Sequence, residues 1–280
     1  MTLKDMIISG QITVSGGTEP TGEIEITENG TYDVTDYASA EVNVGGGGMS
    51  LEDYLNRTAP AGSVSVPSVT KLHGFSFMEN EAITDFTAAS ITRIGEGDFR
   101  GCSNLTNVSM PNLVYASNIT VPDSNINYNN GCMAFRECHN LGNIHLPKLE
   151  KTGTGLFFRC GFEQSTYNAV VVLPSITMLG QQSFQQSKMK AVDIGPNLTT
   201  LYNDTFYGGT YDAVILRSTT LVSANNRDAV RGITKLYVPS ALVASYATAT
   251  NWSNDAASRT VLSIEGSIYE NAYADGTPIA

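Results

Sequence analysis

Cysteine, histidine and carboxylate side chains are where chemistry would reside, and their spacing decides whether they could act together. Cys102, Cys138 and Cys160 each lie three residues after a phenylalanine, at Phe99, Phe135 and Phe157. Such a set could hold a metal or form disulfides. Zinc sites, however, pair cysteines or histidines a few residues apart, and these spacings of 36 and 22 residues fit no such pattern. A ladder of reduced, buried thiols acting as small apolar groups is the better expectation. Ser187 holds the same place after Phe184, as a ladder that tolerates small side chains would allow. Cys132 lies outside this register, and a bond between it and Cys138 is left open. His73, His139 and His145 form no HExxH pair, and neither a nucleophile elbow nor a phosphate-binding loop is present. Glu79 and Glu81 lie on a turn, where solvation accounts for them. The residues therefore predict no catalysis, no metal and no cofactor.

The elements that carry these residues repeat. Phe77, Phe99, Phe135, Phe157, Phe184 and Phe206 are separated by 22, 36, 22, 27 and 22 residues, so the unit is 22 residues with two insertions. Pro67, Pro111, Pro147, Pro174, Pro196 and Pro239 keep the same beat. A unit this short cannot enclose a core, but stacked units can share one. The segments before the prolines, "TNVSMP", "GNIHLP", "AVVVLP" and "TKLYVP", alternate as short strands that would align in a parallel sheet. The segments after them, such as "ITRIGEGDF", fit either a second strand or a short helical turn.

"ITRIGEGDFRGCSNLTNVSMP" resembles the BspA-like class of leucine-rich repeats, with its I-x-x-I-G-x-x-A-F-x-x-C-x-x-L run followed by V-x-I-P. The resemblance spans about residues 64 to 239. "LYVPSALVASYATATNWSN" is similar to that class's terminator, which implies that Leu242, Val243, Tyr246 and Trp252 close the open end of the column. Residues 22 to 44 resemble a small β module found near the front of phage tail and fibre proteins. The expected fold is mainly β: a leucine-rich-repeat solenoid of about seven units with a parallel sheet, behind a small β module. Residues 1–44 form the attachment module and 45–63 a Gly-rich linker and capping segment, with "GGGG" flexible and Ser50 as a helix N-cap. Residues 64–239 form the solenoid, and 240–280 the cap and tail.

Only 15% of residues are charged, against about a quarter in ordinary globular chains, and the net charge is −11. No Lys/Arg stripe is present, so nucleic acid and anionic membranes are poor partners, and no apolar run reaches the length of a membrane span. The first residues lack the long apolar core of a secretory leader, as a virion protein released by lysis would.

Three surfaces offer contacts. The first insertion, "YASNITVPDSNINYNNG", places Asn125, Asn127, Tyr128 and Asn129 in a loop suited to neutral hydrogen bonding and stacking. His145, at an outward strand position, and Tyr167, in the second insertion, join them as candidate ligand or receptor contacts. Val170, Val172 and Ile215 occupy outward strand positions and are expected to form an exposed contact with another copy of the chain.

The resulting expectation is a non-enzymatic phage or prophage tail fibre or tail-tip protein, a trimer in the virion, that binds a bacterial surface glycan or protein. Its N-terminal module would meet other tail proteins. The alternative is a BspA-like bacterial surface or secreted adhesin that binds host protein or glycan. A glycan-cleaving tailspike would need carboxylates gathered along a groove, and here they are dispersed.

Overall fold

The computed structural model describes residues 41–44, 47–50, 62–67, 69–72, 74–142, 144–161, 169–255 and 257–271. The chain is a β-solenoid of about nine turns, where the repeats in the sequence suggested about seven. Strands Gly62–Ser65, Ile83–Thr87, Asn107–Ser109, Ile144–His145, Val170–Leu173, Lys188–Ile194, Thr210–Leu216, Lys235–Val238 and Thr260–Ser263 lie side by side in sequence order and run parallel. Their register sets Val64, Phe86, Val108, Ile144, Val171, Val192, Val214 and Leu236 in one inward row. The row is buried and belongs to the main core. Alternation therefore sends each strand's neighbouring residues to the opposite face.

The segments after the prolines are short strands, the alternative left open by their spacing. Arg93–Ile94, Tyr115–Ala116 and Lys151–Thr152 form a second parallel sheet, and Thr200–Leu201 pairs with Ser223–Ala224.

The phenylalanines close each turn. Successive ring centroids from Phe77 to Phe206 are 5.4, 5.3, 5.4, 5.3 and 5.2 Å apart and nearly parallel. Each ring is held in place by backbone on both sides. The residue two before it has positive φ, at Phe75, Gly97, Met133, Gly155, Gln182 and Asp204. The residue two after it does too, at Glu79, Gly101, Glu137, Arg159, Gln186 and Gly208. Left-handed backbone is costly except at glycine, which explains the glycines around Phe99. At the other positions hydrogen bonds between turns hold the same geometry: the anchor amides of Phe77, Phe99, Phe135, Phe157, Phe184 and Phe206 donate to Asp98, Ala134, Leu156, Ser183, Thr205 and Ala229.

The thiols complete this side of the column. Cys102, Cys138 and Cys160 are buried and free, as is Cys132. The first three donate to the carbonyls of Phe77, Phe99 and Phe135, at 2.9, 3.1 and 2.8 Å. Each thiol thus ties its turn to the preceding one, a polar role beyond that of a small apolar filler.

Both ends differ from the sequence expectation. Gly47 and Gly48, expected in a flexible linker, lie in the strand Gly47–Ser50, which pairs antiparallel with Glu41–Val44. That hairpin joins the sheet through the pairing of Asn43 and Val44 with Ser65 and Val64. Ser50 ends this strand, and the helix it was expected to cap falls outside the described residues. Glycine disfavours strands on its own, but its amide and carbonyl can still join a ladder, so pairing with a neighbouring strand can draw a Gly run into a sheet. The rest of the attachment module and residues 51–61 lie outside the described residues.

At the other end, helix Val243–Thr248 buries Tyr246, which meets Trp252 edge-on at 4.8 Å. The Tyr246 hydroxyl accepts from the Val222 amide, and the Trp252 indole donates to the Val222 carbonyl, both at 2.9 Å. Arg259 donates to the carbonyls of Ile233, Val230 and Trp252. The chain then adds a further parallel strand, Thr260–Ser263, in what the sequence suggested was tail.

Candidate recognition surface

Val170, Val172 and Ile215 face away from the main core, as the alternation requires. They are not exposed, however: only 2%, 1% and 0% of their surfaces reach solvent. With Ala191, Ala213 and Ile264 they form a second apolar cluster, against which Tyr237 and Tyr269 pack. The physical reason lies partly in the segment after the last strand, which turns back over the sheet. Arg217 pairs in bidentate fashion with the buried Asp193 carboxylate, both contacts at 2.8 Å, and also donates to the Tyr269 carbonyl at 2.9 Å. The expectation of an exposed contact at these three residues is therefore corrected. The same face remains open in the earlier turns, where Ser63, Thr87, Asn107 and Ser109 are exposed around Asp85. Hydrogen bonds from Thr84, Asn107 and Ser63 hold the Asp85 carboxyl below its ordinary pKa.

The first insertion is an ordered loop with a single-turn 3-10 segment at Asp123–Asn125. Arg93, itself buried, reaches out from the second sheet to pair with Asp123 and to donate to the carbonyls of Asn118 and Val121. Ile126 is the buried apolar anchor. The loop then continues along the solenoid: the Asn130 carbonyl accepts from the Thr154 amide at 2.6 Å, and the Tyr128 carbonyl accepts from the Gln181 amide and the Thr154 hydroxyl, both at 3.1 Å. Asn125, Asn127 and Asn129 are exposed, and Tyr128 is half-buried.

Glycines make room for this passage. Gly95, Gly131, Gly153 and Gly180 occupy the same place, four residues before successive phenylalanines. A Cβ at Gly153 would lie 2.3 Å from the Asn130 carbonyl oxygen, and one at Gly180 would lie 1.9 Å from that of Gly153. The next turn breaks the rule, with Tyr202 where the glycine should be. Tyr128 stacks on it face to face, with centroids 3.9 Å apart and planes 7° from parallel. The first insertion thereby reaches a turn more than seventy residues further along the chain. Asn203 follows Tyr202, and its side-chain oxygen accepts from Asn225 at 2.8 Å and Asn226 at 2.9 Å.

Of the residues picked out from sequence, Asn125, Asn127, Tyr128 and Asn129 share this loop. His145 lies in the strand Ile144–His145, with its side chain outside the described residues, as is Tyr167. Sequence reasoning missed Tyr202, Asn203 and Asn225. A tyrosine at a glycine position of the repeat was the signal that could have found them. Among the described residues, no group of three or more histidine, cysteine or acidic side chains could hold a metal ion, and no helix is long and apolar enough to cross a membrane.

A family model agrees with this architecture. The model of the BspA-type leucine-rich repeat region matches residues 61–129 and 112–226. Among solved structures, the chain is similar to a leucine-rich repeat protein of T. pallidum, with 19% identity over 58% of this chain and 72% of that one and a TM-score of 0.43. It is also similar to the pneumococcal vaccine antigen PcpA, with 13% identity over 83% of this chain and 49% of that one and a TM-score of 0.43. A leucine-rich cell surface protein of Faecalibacterium prausnitzii matches with 13% identity over 86% of this chain and 90% of that one, at a TM-score of 0.35. No curated protein matches. The family model spans more than half of the chain, in register with the stacked phenylalanines, and the protein belongs to the BspA-type leucine-rich repeat family.

Proposed function

We propose that the protein is a non-enzymatic adhesive protein displayed at a bacterial surface, which binds host protein or glycan through the flank of its solenoid. The observation that carries this reading is the first insertion. Ion pairing and backbone bonds hold it rigidly, yet it turns Asn125, Asn127 and Asn129 to solvent. A loop fixed in place spends little entropy on binding, and neutral amides with aromatic rings suit adaptable polar recognition. The test is binding of the fluorescently labelled full chain to intact bacterial and host cells. Saturable binding that falls when Asn125, Asn127 and Asn129 are replaced together by alanine supports the reading. Undiminished binding removes the loop, and no binding to any cell overturns adhesion.

A second reading is favoured by one observation, the resemblance of residues 22–44 to phage tail and fibre modules. On that reading the protein is a tail fibre or tail-tip component, a trimer in the virion, with the same flank directed at the host cell. A mass measurement in solution separates the two: a stable trimer supports the fibre, a monomer the adhesin. The genomic neighbourhood, with or without tail genes, provides a second check.

A further inference from the structure

The stacked pair Tyr128–Tyr202 and the asparagines around it point to a composite binding site for a neutral carbohydrate, built from the insertion and two later turns. We infer this site on the basis of the surface-binding reading above. Three features carry the inference.

The first is the departure from the repeat. Tyr202 replaces the glycine that four earlier turns carry, and it receives Tyr128 from the insertion. Both rings are only half-buried, so part of the stacked pair reaches solvent. Sugar rings have apolar C–H faces, and tyrosine supplies a rigid, amphipathic surface against which to lay them.

The second is unused hydrogen-bonding capacity beside the rings. Neither tyrosine hydroxyl has a partner among the described residues, and neither does the Asn129 side chain. The oxygen of Asn203 is occupied by Asn225 and Asn226, which leaves the Asn203 amide hydrogens and the Asn225 carbonyl oxygen to meet a ligand. The hydrogen bond between Asn225 and Asn203 sets that free donor and acceptor side by side, as vicinal hydroxyls require.

The third is charge. Asp204 follows Asn203, and the Asp228 carboxylate lies close enough to act on it. An acidic neighbour disfavours sialylated, sulfated or phosphate-bearing chains, so the class is neutral hexose or N-acetylhexosamine polymers.

The test uses the full chain on an array that carries neutral hexose and N-acetylhexosamine oligosaccharides beside sialylated and sulfated ones. Binding confined to neutral glycans is expected. It should weaken by about tenfold or more in Tyr202→Gly, which restores the repeat's own residue, and in Tyr128→Ala. Asn129→Ala is the variant least able to disturb the fold, since that exposed side chain bonds nothing among the described residues, and it should also weaken binding. Preference for anionic glycans, or neutral binding unchanged in all three variants, overturns the site. So does cell binding that the three variants lose but soluble neutral oligosaccharides do not compete away, because the partner would then be a protein. A chain that binds cells but no arrayed glycan refutes the site and leaves adhesion standing. A chain that binds no cell refutes the adhesion reading itself.

Discussion

Asp98 shows how one residue of the repeat sets a property of the fold. It takes the position just before Phe99, where other turns carry Ser76, Ala134, Leu156, Ser183 and Thr205, and it is fully buried. Its carboxylate accepts from the amides of Gly95, Gly74 and Ser76, at 2.6, 2.8 and 3.2 Å. Burial outweighs these bonds and raises its pKa to about 6. A folded-state pKa above the unfolded one means that the protonated form is favoured by folding. This group's contribution is therefore complete below about pH 4 and is lost as pH rises through about 6. Thermal unfolding across this range should show the wild type losing stability relative to Asp98→Asn, and parallel curves would refute the assignment. The thiols make a second residue-scale prediction. Burial lifts Cys102 and Cys132 to about 12 and raises Cys138 and Cys160 well above the ordinary thiol value. Thiolate is the reactive form, so iodoacetamide should label none of the four cysteines in the native protein and all four in urea. The thiol ladder was legible from the shared offset after phenylalanine. The burial of Asp98 was not, because most turns put a small or hydroxyl side chain in its place.

The elements depend on two kinds of contact that the sequence announces unequally. The Phe and Pro beat gives strand positions and inward rows directly, because stacked turns must repeat whatever they bury. The ends are less legible. A glycine run reads as a linker, yet here Gly47 and Gly48 extend the sheet. The alternating "TVLS" is a strand that lies beyond the cap motif and so passed for tail. The terminator itself was legible through its aromatic residues. Trp252→Ala removes the ring that packs on Tyr246 and the donor to Val222, and should cost about 3–5 kcal/mol in denaturant unfolding. A loss below about 1 kcal/mol would show that the cap is dispensable. Gly180→Ala tests packing between turns. Its Cβ would overlap the Gly153 carbonyl, so the variant should lose about 1–3 kcal/mol even though the residue adds one methyl group. Wild-type stability would mean that the turns can separate freely.

At the scale of the whole molecule, the inward rows and the phenylalanine stack make one continuous core, and the proposed function lies in what interrupts the pattern. The outward valines were legible as facing away from the core. Their burial was not, because it depends in part on a later segment folding back through Arg217, Ile264 and Tyr269. Likewise the insertion was legible as a loop, but its destination at Tyr202 lies several turns away and only stacking brings the two together. Both the adhesive reading and the carbohydrate site require the turns to be locked in one column. Hydrogen exchange of the anchor amides tests that requirement most directly, because each of the six donates to the following turn. The amides of Phe77, Phe99, Phe135, Phe157, Phe184 and Phe206 should all exchange far more slowly than the amide of the exposed loop residue Thr219, with protection greatest in the middle turns. An internal anchor, Phe135 or Phe157, exchanging as fast as Thr219 would contradict the column and the surface it supports.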